Sequence, residues 1–279
     1  MTIQTKASYK KEMLAFSRTS RLPILAIIVV GWAMLGPLLI VGLGIMIDTL
    51  APVYEELGMD VTEMADMLAA NASTGVISGI SDLTTVGLIA FLIILNPFAG
   101  GEQKSRSTML PKTSGLENAS YLLPKYIIYP ATALILALIA GFASWGVSVL
   151  TFEINDVEVS RVALAGLLAG VNLMFFVCIH LTLGTASGKA GMSSAICIIA
   201  SLLLPSLFEA LGSEFVYNPF TLNRMATTLI PISPFSAFST GEIITTTGIA
   251  LALMVLLYFL ALFVQNSKKI DNSGNEIRL

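Results

Sequence analysis

Charge is the scarcest property of this 279-residue chain. Only 12% of its residues are Asp, Glu, Lys or Arg, where a soluble domain carries about 25%. That shortage, with 55% hydrophobic residues and a mean hydropathy of +0.84, excludes an ordinary water-soluble globule. Cysteine is nearly absent too. Cys178 and Cys197 both fall inside apolar runs and read as small buried hydrophobes, with a disulfide between neighbouring helices as the other reading. A single histidine, His180, leaves no set of nearby metal ligands. Polar and apolar residues do not alternate within the runs, which excludes a transmembrane β-barrel.

Long apolar runs are what the sequence has instead. About 20 residues at 1.5 Å rise cross the hydrocarbon core, and six such runs lie near 23–47, 83–100, 127–152, 162–184, 190–211 and 243–265. The expected fold is an all-α membrane protein, a six-transmembrane-helix bundle forming one domain over 1–279. The first run is longer than a signal-peptide core and no A-x-A-type cleavage site clearly follows, so a retained signal anchor is expected. An even number of spans puts both termini on one side. That side receives Lys6, Lys10, Lys11, Arg18, Arg21, Lys104, Arg106, Lys112, Lys125, Lys189, Lys268, Lys269 and Arg278, leaving only Arg161 and Arg224 opposite. Cytoplasmic segments hold the excess of Lys and Arg. Both termini are therefore expected in the cytoplasm, with 1–22 an interfacial helix, 23–265 the six spans and 266–279 a tail. In that first helix Tyr9, Met13 and Phe16 share a face, which suits the membrane interface.

The outer segments differ in kind. Residues 48–81 contain six acids and no Lys or Arg. They lack EF-hand spacing and read as a solvated loop, with a short helix possible over VTEMADMLAANAS. Residues 212–242 are rich in aromatics, Pro and Ser/Thr. They are too apolar for a free loop, and Pro219, Pro231 and Pro234 forbid one long helix. This segment is expected to dip back toward the bilayer or cap the bundle, where non-helical backbone must be covered by protein or line a wet cavity.

Several motifs carry little chemistry. Gly184-Thr-Ala-Ser-Gly188-Lys189 has three residues between its glycines where a phosphate-binding loop has four. Ala190 stands where Ser or Thr would hold magnesium, and no strand precedes it. Gly166-x-x-x-Gly170 permits close helix approach, within the protomer or across a dimer. Asn71-Ala72-Ser73 and Asn118-Ala119-Ser120 both fit the glycosylation sequon, but they fall on opposite sides. Asn96, Asn172 and His180 are candidate pathway or packing polar residues, with a hydrogen-bonded structural role favoured for His180. Glu209 reads as close to the outer boundary. Deep carboxylates for proton-coupled transport are lacking, and no internal repeat suggests an inverted-repeat carrier.

Residues 101–125 concentrate six of the 33 formal charges between two apolar runs. Glu102, then Arg106-Ser107-Thr108, then Lys112-Thr113-Ser114-Gly115-Leu116-Glu117-Asn118, then Tyr121-Leu122-Leu123-Pro124-Lys125 resembles the segment after the second span of ABC-2 type transporter permeases. Lys10 to Leu14 with Arg18 and Arg21 looks like that family's amphipathic helix before the first span. Ser233-Pro234-Phe235 looks like its outer re-entrant segment. The likeness covers the whole topology, but Ser114–Asn118 stands where the family commonly has Pro and Arg, and Pro124 where Gly is frequent. The resemblance implies a multi-pass permease subunit of the cell membrane, dimeric and driven by a separate ABC ATPase. Export is the direction that it favours. ATP would be bound by the partner, so no cofactor, catalytic residue or metal is expected in this chain, and no nucleic acid. Glu102, Lys104, Arg106 and Thr108 would form or flank the ATPase-coupling interface. The rival readings are a non-transporting immunity or sensor protein and a secondary carrier.

Overall fold

The computed structural model describes residues 3–56, 71–102, 115–152, 156–211, 217–231, 238–270 and 276–278. Helix α1 (Ile3–Ser17) leads through a break at 18–20 into α2 (Arg21–Glu56). Then come α3 (Ala72–Gly101), α4 (Asn118–Thr151), α5 (Val159–Ser187) and α6 (Ala190–Ala210). A 3-10 turn (Pro219–Thr221) opens the short α7 (Leu222–Thr228), and α8 (Thr240–Asn266) completes the bundle. After it, β1 (Lys268–Ile270) pairs antiparallel with β2 (Glu276–Arg278). Among the described residues, six helices are long and apolar enough to cross a membrane: α2 to α6 and α8.

The helices outrun the apolar runs that announce them. The third begins at Asn118 and the second at Ala72, well before the runs at 127 and 83. Much of the expected loop 48–81 is therefore helix; residues 57–70, with most of the short helix considered there, lie outside the described residues. Hydrophobicity marks what lipid touches, whereas a helix continues wherever its polar residues find partners. Asn71 does this for α3: its side chain accepts from the Thr74 amide at 2.9 Å, an N-cap. Asp156 adds bonds to the Ser73 amide at 2.9 Å and hydroxyl at 2.8 Å. The α8 start is a capping box, in which Ser239 and Glu242 satisfy each other's amides.

Helix α5 sits at the centre, the most buried of the six, and packs most extensively on α4. Gly166 and Gly170 make this possible. A β-carbon on Gly170 would lie 3.2 Å from the Leu134 Cα, and one on Gly166 3.6 Å from the Leu138 Cα. The small-residue motif thus serves packing within the protomer, one of its two open readings. Helix α3 is not uniformly α-helical: Leu83–Gly87 and Pro97–Gly101 are π-helical turns.

Residues 217–231 fold back along the bundle. Asn172, at the middle of α5, donates to the Pro219 carbonyl at 3.5 Å. Thr84 of α3 donates to Asn223 Oδ1 at 2.7 Å. At the start of α5, Arg161 donates to the Pro231 carbonyl at 2.8 Å. The chain therefore climbs beside α5 from its midpoint to its first turn, with Leu222, Met225 and Ala226 buried. Ser233-Pro234-Phe235 lie outside the described residues. Glu209 ends its helix in an ion pair with Arg224 at 2.9 Å.

Both ends of the chain gather at one end of the bundle. Gln4 donates to the Gly115 carbonyl at 3.4 Å, and Asn118 donates to Asn266 Oδ1 at 2.8 Å. Helix α1 runs alongside the first turns of α4, because contacts advance together from Thr5–Ser120 to Glu12–Tyr129. The face it buries is Thr5, Ser8, Glu12 and Phe16. Of the expected apolar face only Phe16 is fully inside; Tyr9 is half-buried and Met13 is 54% exposed. The hydrogen-bonding surface of α4 selects a polar stripe of α1 over the apolar one.

Candidate functional site

Where α1, the end of α3 and the start of α4 meet, the sequence supplies two carboxylates, two ammonium groups and two phenols. Tyr121, Lys125 and Tyr129 recur every four residues, which places them on one face of α4. Pro97–Gly101 carries Glu102 toward the same face. Glu102 Oε2 accepts from Lys125 Nζ at 2.6 Å and from the Tyr121 hydroxyl at 2.6 Å. Its other oxygen accepts from Lys11 Nζ at 3.1 Å.

Lys125 is almost fully buried, so its charge has to be answered locally. It has three N–H donors, and three acceptors stand around it: Glu102, the Phe98 carbonyl at 2.9 Å and the Tyr121 oxygen at 3.0 Å. The ammonium also lies 4.5 Å from the Tyr121 ring centre, within cation–π reach.

A second half of the cluster belongs to α1. Glu12 is fully buried and accepts a hydrogen bond from Tyr129. Its other oxygen faces Lys11 Nζ at 3.4 Å. Lys11, half-exposed, therefore bridges both carboxylates. Phe16, Phe98 and Tyr129 close the space above, with ring centres 4.9–6.1 Å apart, and the Arg21 guanidinium lies 4.9 Å from the Phe98 ring centre.

The electrostatics follow from this packing. Burial alone would raise the Glu102 carboxyl. The Lys125 ammonium, the Tyr121 hydroxyl and Lys11 outweigh it and hold the group at about 2. Burial pulls Lys11 down, and Glu102 and Glu12 reverse that, leaving it above the ordinary lysine range. The two carboxylates and the two amino groups thus interlock, and they pin both flanks of 103–114 to α1.

The other sequence candidates are dispersed. Asn96 Oδ1 accepts from Ser194 at 2.6 Å, joining α3 to α6. His180 Nδ1 shares a hydrogen with Ser193 at 2.8 Å, joining α5 to α6, while its Nε2 is buried with no partner among the described residues. Asn172 holds the 217–231 segment. Lys104, Arg106 and Thr108 lie outside the described residues. Gly184–Lys189 is a helix end and turn: Gly188 has φ +66°, and a β-carbon on Gly184 would sit 2.8 Å from the Ala99 backbone. Tyr121, Tyr129, Lys11 and Glu12 were not among the sequence candidates. The four-residue spacing from Tyr121 to Tyr129, and the lone acid in a basic N-terminal stretch, are the signals that point to them.

The described helices define a multi-pass α-helical membrane protein with a buried ionic cluster at the end that carries both termini. No protein-family model, curated protein or solved structure matches the chain.

Proposed function

We propose that this chain is the membrane-spanning permease subunit of an ATP-driven transporter, an exporter working as a dimer and coupled through 101–125 to a separate ATPase. The observation that carries the reading is the pinned base of that segment. Glu102 on one flank and Tyr121 and Lys125 on the other hold each other at 2.6 Å. A force applied to 103–114 would therefore reach α3, α4 and α1 together rather than dissipate in a loose loop. The basic census supports a cytoplasmic location for this end, and with it cytoplasmic termini in a cell membrane and an α1 close to the interface. Lys104, Arg106 and Thr108 are the residues assigned to contact the ATPase.

The test is to co-express the chain with any ABC ATPase whose gene neighbours its own, purify through a tag on either, and measure ATP hydrolysis. The pair is expected to co-purify, and Arg106→Glu is expected to abolish the permease's effect on the rate. Absence of co-purification, with an ATPase rate indifferent to Arg106→Glu, overturns the assignment and favours a non-transporting membrane protein.

A further inference from the structure

We propose that α1 is a reversible latch on α4, released when Glu102 is displaced. The proposal takes the coupling role of 101–125 as its starting point and names what that role would move.

The docked face of α1 is largely polar. Thr5, Ser8 and Glu12 are buried against α4, and Phe16 is the one large apolar side chain among the buried residues of α1. Thr5 and Ser120 share a hydrogen at 3.0 Å, and Tyr129 donates to Glu12. Water can replace each of these partners on release, so their net hold is small. A helix docked by an apolar stripe would have no such exchange available. The opposite face already suits water: Lys6, Lys10, Lys11 and Arg18 are all exposed.

A hinge separates α1 from α2. The helix breaks at 18–20 before α2 begins at Arg21. The Thr19 hydroxyl donates back to the Ala15 carbonyl at 2.8 Å, closing the last turn of α1 on itself. Helix α1 can thus move as a unit against the bundle.

Lys11 supplies the trigger. Lys11 lies 3.1 Å from Glu102 and 3.4 Å from Glu12. Glu12 Oε1 is buried without a hydrogen bond among the described residues, so Lys11 is the countercharge that makes its burial tolerable. If Glu102 is displaced, Lys11 follows its closer partner. Glu12 is then a buried carboxylate without a countercharge, which is costly, and undocking into water relieves it. The same step exposes Ser8.

Thiol labelling reads the latch directly. Ser8→Cys is placed in a chain whose buried Cys178 and Cys197 are replaced by alanine. The purified protein in detergent is then treated with a water-soluble maleimide. Labelling is expected to be slow in this background. It should rise by about tenfold or more in Glu102→Gln, the scale expected when one charge-assisted hydrogen bond is removed from an opening equilibrium. Lys11→Met, on the exposed side of the helix, should accelerate it independently. Oxidising a Thr5→Cys/Ser120→Cys pair should return it to the slow rate. Labelling that is equally slow in both charge variants overturns the latch. So does fast labelling that persists after the disulfide has closed. None of these measurements needs the ATPase, so they test the latch even if the permease fails to co-purify with one. Conversely, a coupled ATPase that runs unchanged on the disulfide-locked protein overturns the latch and leaves the coupling assignment intact.

Discussion

Glu102 is 16% exposed and holds two ammonium groups and a phenol, so its value lies in completing the set rather than in any one contact. Removing one partner of a buried pair leaves the other unanswered, and Glu102→Gln is expected to cost about 3 kcal/mol. Replacing both charges with Glu102→Leu and Lys125→Met should cost far less, since well-packed apolar pairs often substitute for buried ion pairs with little loss. Denaturation of the purified chain in detergent separates the two outcomes; a double variant weaker than the single one would refute the pairing. The pH dependence follows from the same groups. The folded Glu102 carboxyl, at about 2, lies below its ordinary 4.5, so its contribution is complete above that value. It is lost as pH falls from 4.5 toward 2. Lys11 is raised, so its share is complete below the ordinary lysine value and is lost at higher pH. Melting followed by tryptophan fluorescence should show a plateau from about pH 5 to about pH 10, with a decline on the acid side that Glu102→Gln reduces. At this scale the sequence was half legible. Glu102 and Lys125 stand at the two flanks of a charged segment that draws attention by itself. That they touch depends on α3 ending where α4 begins, which no local pattern encodes. Glu12 was hidden because a basic stretch reads as a topology signal, and its single acid does not alter the count.

Among the helices, apolar length located all six spans and misjudged their ends. Ser73, Ser78, Ser81 and Asp82 stopped the second run at 83, yet the helix holds back to Ala72, because an N-cap and the small residues Gly75 and Gly79 let it pack closely on α4. The Ser239-x-x-Glu242 box was readable and sets the α8 start several residues before the apolar run. Close crossings give a sharp expectation. Gly184→Ala would press a β-carbon against the Ala99 backbone at 2.8 Å, whereas Gly42 has nothing within 4 Å. Overpacking of this kind costs about 1–3 kcal/mol, so Gly184→Ala should lower the melting temperature in detergent while Gly42→Ala leaves it unchanged or raises it. Equal effects at the two sites would mean that the α3–α5 crossing yields more readily than its geometry implies.

For the whole molecule, the distribution of Lys and Arg makes a statement about sides that the helix count alone does not. Helix α1 and the end of α8 share one end of the bundle, and the α5 start lies at the other, where Arg161 meets Pro231. Ile3 and Glu158 are exposed at these opposite ends. In intact cells, with Cys178 and Cys197 replaced by alanine, an impermeant maleimide should label Glu158→Cys and spare Ile3→Cys. Labelling should become equal once the membrane is opened. The reverse pattern would invert the orientation and remove the cytoplasmic assignment of 101–125.

The two π-helical turns of α3 bear on this same arrangement. A π turn closes on the fifth residue rather than the fourth and so accommodates an additional residue without breaking the helix. Each such residue advances everything beyond it by about 100° around the axis. The direction in which Glu102 faces is therefore set by how many residues separate it from Ala72. Deleting one residue from Leu83–Gly87, which contains none of the charged groups, would rotate Glu102 away from Lys125 and Lys11 while leaving every side chain of the cluster in the sequence. The wiring of the ionic cluster is thus written partly as a length, in a part of the helix that never touches it.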